Sequence, residues 1–208
     1  MADLLAGKVA LVLGGDAVGD AVGQGLSRLG AMVFRSVAET SGSADLVVIP
    51  VVDPGGLTPT PLAEMDEAEW IRRCEAPLGA VRTALQEAHV VLTERGGGRI
   101  VLLVPTISMI GAADFAPFSA VGEGARSLAK AAARGWGAQG ITVNCLALTQ
   151  EQLAPGIEGT VTETRVPPAL ATPDLENDVA GFIATLAVGP AVVTGTTMML
   201  DGGNLMSV

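Results

Sequence analysis

"KVALVLGGDAVGDAVGQGLSRLG", residues 8–30, changes its hydrophobic period within a few residues. The apolar run "KVALVLGG" ends in Gly14 and Gly15, which predicts a buried strand closing in a tight turn. Beyond it, in "DAVGQGLSRLG", apolar residues recur at helical spacing, at Val22, Leu26 and Leu29, and Gly30 supplies the stop. Strand, glycine turn and helix in that order open a parallel-sheet unit.

The same alternation continues outward. "AMVFRS" (31–36) and "ADLVVIPVV" (44–52) read as strands, the second closed by Asp53-Pro-Gly-Gly. A helical region follows from about Met65 to Arg95, interrupted by Pro77. "GRIVLLVP" (98–105) is a fourth strand, "SAVGEGARSLAKAAARGWGAQG" (119–140) a helix of small residues, and "ITVNCLAL" (141–148) a fifth strand. The stretch from Thr149 to Ala171 is the least regular. "TPDLENDVAGFIATLAV" (172–188) predicts a helix with Thr172 as N-cap and Pro173 in the first helical position. "TGTTMMLDGG" (194–203) is a sixth strand. Strands alternating with helices predict an α/β domain with a mainly parallel sheet.

One connection is short. About ten residues lie between Phe34 and Asp45, with "ETSGS" in the middle. A parallel crossover usually takes a dozen or more, often a helix. About nine extended residues still reach roughly 30 Å, longer than a strand of ~17–20 Å. The expectation is a crossover without a helix, passing over the first strand, with no room for a further strand and its helices.

The totals bound the function classes. A chain of 208 residues suits one domain, expected to span 1–208, and 49% hydrophobic against 16% charged residues excludes a disordered composition. A net charge of -10 with no Lys/Arg cluster argues against nucleic acid. No apolar run reaches the length of a membrane span, and no basic stretch followed by an apolar run opens the chain. Cys74 and Cys145 follow no metal-ligand spacing, so no metal is expected; free thiols in a reducing cytoplasm are. His89, the only histidine, falls in a helical stretch and reads as a surface or packing residue.

"GKVALVLGG", "GRIVLLV", "GITVN" and "VVTGTTMMLDGG", in this order and spacing, resemble the short-chain dehydrogenase/reductase family, of the ketoacyl-reductase type, over nearly the whole chain. The resemblance implies a Rossmann-like doubly wound parallel sheet, here shortened and truncated to about six strands. It also implies a site. The family uses a tyrosine as general acid/base, a lysine four residues later that lowers its pKa, a serine thirteen residues before the tyrosine, and an asparagine on the preceding helix. In "APFSAVGEGA" (116–125) the tyrosine position is Phe118 and the lysine position Gly122; the serine and asparagine positions fall at Pro105 and Ala76. None of these four side chains can move a proton. Thr106, Ser108, Ser119 and Glu123 are the polar neighbours. Ser119 and Glu123 are expected to turn away on the helix, and Ser108 is a hydroxyl without a base.

The resemblance further implies a nicotinamide dinucleotide at the first turn, "LGGDAVGDAVG". Gly14, Gly15 and Gly19 remain there, but with one residue fewer. Ala17 stands at the middle glycine, Leu13 at the usual threonine, and Asp16 adds negative charge. "IPVV" (49–52) replaces the polar stretch expected under the adenine ribose, and Arg35 reads as a solvated arginine. Leu148 and Thr149 replace a Pro-Gly pair, and "APGIEGT" (154–160) carries no convergent polar set. No cofactor is therefore expected in this chain.

The small residues Gly122, Gly124, Ala125, Ala129, Ala132 and Ala133, and the apolar end "TTMMLDGGNLMSV" (196–208), suit assembly surfaces. The expectation is a catalytically inactive subunit of a hetero-oligomer, a tetramer, whose intact paralogue carries the NAD(P). The alternatives are an NAD(P)-dependent oxidoreductase with a non-standard site, or a small-ligand-binding module whose cleft would be lined by Phe118, Pro105 and Ile107.

Overall fold

The predicted strands assemble into one parallel sheet in the order β2-β1-β3-β4-β5-β6. The computed structural model describes residues 3–14, 16–52, 58–154 and 167–206. The strands are β1 (Val9–Val12), β2 (Met32–Phe34), β3 (Leu46–Pro50), β4 (Gly98–Pro105), β5 (Ile141–Leu148) and β6 (Thr197–Met199). β4 and β5 form the centre, paired from Gly98↔Ile141 to Pro105↔Leu148. The helices are α1 (Asp16–Arg28), α2 (Glu67–Trp70), α3 (Ala76–Arg95), α4 (Ile107–Ile110), α5 (Ala116–Trp136), α6 (Gln150–Leu153) and α7 (Ala180–Val188). None is long and apolar enough to cross a membrane.

The strands are apolar throughout because both faces are covered. Alternate residues divide between two cores. Leu46, Val48, Val101 and Leu103 pack under α1 and α7. Val47, Ile49, Ile100 and Leu102 pack under α3 and α5.

The short crossover differs slightly from expectation. Between β2 and β3 there is no α-helix, but one 3-10 turn, Val37–Thr40, with Glu39 accepting from the backbone N–H groups of Arg35 and Ser36. β2 lies outside β1 and β3 inside it, so this connection runs back over β1. Right-handed crossovers place it on the face opposite α1, and Val37 packs there with the α3/α5 core. A single turn covers what helices cover elsewhere on that face.

Two other boundaries moved. The last helix is not capped by Thr172. Asp174 is the N-cap, accepting from the N–H groups of Glu176 and Asn177, and a π-helical turn, Leu175–Val179, leads into α7. Pro173 biases Thr172 away from helical geometry, and Asp174 caps two residues further on. The interruption at Pro77 is also a π-helical turn, Ile71–Glu75, joining α2 to α3 without a gap. A widened turn just before proline accommodates its missing N–H.

Candidate functional site

A cleft of about 610 Å³ opens at the carboxyl ends of β1 and β3, beside α3. Leu13 and Gly14 from the first turn, Ile49–Val52 from β3 and its exit, and Ala76, Ala80 and Ala84 from α3 line it, with Val121 of α5. Its polar side chains are Arg72, Thr83 and Glu87.

The four positions expected to match the family's tetrad do not share one cleft. Ala76 opens α3 and lines this cleft. Pro105, Phe118 and Gly122 do not line it. Phe118, in the first turn of α5, is buried in an apolar cluster with Ile107 and Phe115. Pro105, at the end of β4, and Gly122, one turn after Phe118, meet each other. A Cβ built on Gly122 would stand 2.6 Å from Ser108 Cβ, 2.7 Å from its Oγ and 3.1 Å from Pro105 Cγ. The space a side chain at 122 needs is therefore occupied. Phe118, Pro105 and Ile107, expected to line a cleft, are buried and do not line this one, which lies on the Ala76 side.

Ser108 does have an acidic partner, contrary to expectation. Its Oγ lies 2.8 Å from the Pro105 carbonyl and 3.0 Å from Glu123 Oε1. Glu123 is gripped by Arg126 Nη1, 2.6 Å from both carboxylate oxygens, and Arg126 Nε donates to Thr197 Oγ1 at 3.2 Å. This chain ties α4, α5 and β6 together. Ser108 is buried and does not line this cleft. Ser119 has a buried Oγ with no hydrogen-bond partner among the described residues.

At the first turn, Gly14 has φ +77 and lines the cleft. Gly15 lies outside the described residues. Ala17 is exposed on the first turn of α1, and Gly19 sits within that helix. Arg35 is not simply solvated. Its Nη2 donates to the Gly14 carbonyl at 3.2 Å and pairs with Asp20 at 3.5 Å. A Cβ on Gly19 would meet this guanidinium at 2.6 Å. Arg35 thus lies across the glycine turn.

Thr149, at the position matched to the family's Pro-Gly, caps α6 in a capping box with Gln152. Most of "APGIEGT" lies outside the described residues. His89 stacks on Trp136 at 4.7 Å and bonds Gln139 at 2.8 Å, a packing role. Sequence reasoning missed Arg72 and the cleft beside α3. The available signal was Arg72, Ala76, Ala80 and Ala84 recurring every four residues, one face of a helix.

The enoyl-(acyl carrier protein) reductase family model matches residues 30–204. The cis-4-hydroxycyclohexanecarboxylate dehydrogenase of Sinomonas cyclohexanicum is 31% identical over 180 residues, covering 83% of this chain and 70% of the relative. The 3-oxoacyl-(acyl-carrier-protein) reductase of Pseudomonas aeruginosa is 26% identical over 254 aligned positions, covering 98% of this chain and 99% of the relative. An alignment longer than 208 residues means that this relative carries segments the chain lacks. A solved structure described as a short-chain dehydrogenase/reductase from Burkholderia xenovorans superposes with a TM-score of 0.80 at 23% identity, covering 98% of both chains. With its six-stranded parallel sheet, its strand motifs and these matches, the chain belongs to the short-chain dehydrogenase/reductase family.

Proposed function

We propose that this chain is a non-catalytic subunit of a hetero-oligomeric short-chain dehydrogenase, supporting an intact, NAD(P)-dependent member of the family. The observation that carries the reading is the surroundings of Gly122. A lysine ammonium cannot be placed from a position already filled by Ser108 and Pro105. Phe118 is locked among Ile107 and Phe115 and has no hydroxyl. General acid catalysis, worth ~10²–10⁴ in rate, has no group to supply it at these positions.

The described lining does not fit a dinucleotide either. Arg35 lies over the glycine turn, and Ile49–Val52 offer apolar side chains where a ribose would need partners. The assembly role rests on the retained sheet and helices. The small residues of α5 do not add to it, because Gly122, Ala125, Ala129, Ala132 and Ala133 are buried in this chain's own core, where they let α5 lie close to the sheet and α3. Bound to an active subunit, such a chain stabilises it by mass action.

The test is co-expression with an intact family member from the same cells, followed by native mass spectrometry and assays of cofactor oxidation. The expected result is a fixed-ratio complex, with no turnover by this chain alone. NAD(P)H-dependent turnover by the purified chain that survives surface substitutions but not Phe118→Ala would overturn it.

A further inference from the structure

We infer that the cleft between α3 and the ends of β1 and β3 binds an apolar carboxylate, an alkanoic acid, with its chain along α3 and its head group at Arg72. This goes beyond the assembly role and does not depend on it. The topology explains why the cleft is open. The β2–β3 connection must cross β1 on the α3/α5 face, yet supplies only the turn Val37–Thr40 there. The adjoining face of α3 presents Ala76, Ala80 and Thr83 to solvent, and all three line the cleft.

Size and lining select the ligand class. A volume of about 610 Å³ lies within the ~300–1,000 Å³ of small-molecule sites. The walls are mostly aliphatic, so the driving force is burial of hydrocarbon. A dinucleotide, with two riboses and a pyrophosphate, would leave most of its polar atoms unmatched against these walls.

Charge sets the orientation. Arg72 has no hydrogen-bond or ion-pair partner among the described residues. α3 runs antiparallel to the strands, since the Val91 carbonyl near its end accepts from Ala44 just before β3. Arg72 therefore stands at the carboxyl edge of the sheet, beside the mouth, and Glu87 lies about four turns further down the helix. A carboxylate is attracted to the first and repelled by the second.

The experiment is calorimetry on the purified chain with hexanoate, octanoate and decanoate, and with the matching primary alcohols. Affinity is expected to rise about fourfold per added methylene until the cleft is filled. Arg72→Gln should weaken decanoate about tenfold and leave decanol unchanged. Ala80→Phe, on an exposed helix face, should fill the cleft and abolish binding of both while keeping the wild-type melting temperature. Affinity independent of chain length, decanoate binding untouched by Ala80→Phe, or displacement of decanoate by NADPH would each overturn the inference. These outcomes are read on the isolated chain, so they stand apart from any failure to find a partner subunit.

Discussion

Gly122 has no side chain because Ser108 stands in its place. Both Ser108 Cβ and Oγ lie under 3.0 Å from a built Cβ, so even a methyl group needs a backbone shift of α4 or α5. Alanine usually favours a helix over glycine by roughly 0.5–1 kcal/mol. Here Gly122→Ala is expected to destabilise instead, by about 2 kcal/mol, and the same change made with Ser108→Gly should cost little. Urea unfolding of the two single variants and the double variant measures the coupling.

Asp45 carries a different load. It is mostly buried just before β3, where burial alone would raise its pKa. The N–H of Val9 at 2.9 Å, Arg95 Nε at 3.1 Å and Lys8 Nζ at 3.3 Å outweigh that and lower it below 3.8. A lowered folded pKa means stability that is present above the unfolded value and lost as pH falls through the folded one. Asp45→Asn should cost about 1–2 kcal/mol at neutral pH. The melting-temperature gap between variant and wild type should then narrow as pH drops through 3.8 and below.

Among the elements, α1 crosses the entry to α7 at Gly25. A Cβ there would run into the Glu176 carbonyl and meet Ala180 Cβ at 2.5 Å. Arg28 closes the same crossing, pairing with Glu176 and donating to Asn177 Oδ1 at 3.4 Å. The obstruction is backbone, which cannot rotate aside, so Gly25→Ala should destabilise by about 3 kcal/mol. Arg28→Ala should cost under about 1 kcal/mol, because its ion pair is solvent-exposed. Thermal melts of both variants separate packing from charge at one contact. The periodicity of α1 is plain in the sequence, but the partner that requires Gly25 lies about 150 residues away in the chain and is invisible locally.

For the molecule as a whole, both thiols belong to the core under α3 and α5. Desolvation pushes Cys145 up to about 11, and raises Cys74 as well. Neither is a ready thiolate near neutral pH. Ellman's reagent at neutral pH should therefore label neither thiol in the native protein and both after unfolding in guanidinium. Labelling of either thiol at native-state rates typical of exposed cysteine would show that this core opens locally. The arrangement was legible only in part. "ITVNCLAL" announced a buried strand and so a buried Cys145, whereas Cys74 is buried because the π-helical turn Ile71–Glu75 orients it inward.

By itself the sequence determined the family, the six strands and the side chains that stand at Ala76, Pro105, Phe118 and Gly122. Those features are local: a strand's apolar run, a glycine stop and the chemical identity of a side chain need no knowledge of distant neighbours. The tertiary structure decided what surrounds each of these places. Ser108 in front of Gly122, Phe118 within an apolar cluster, Arg35 across the glycine turn and the open cleft along α3 all depend on which segments meet after the chain has crossed the sheet. Close packing admits only one occupant per space, and sequence order does not say which segment takes it.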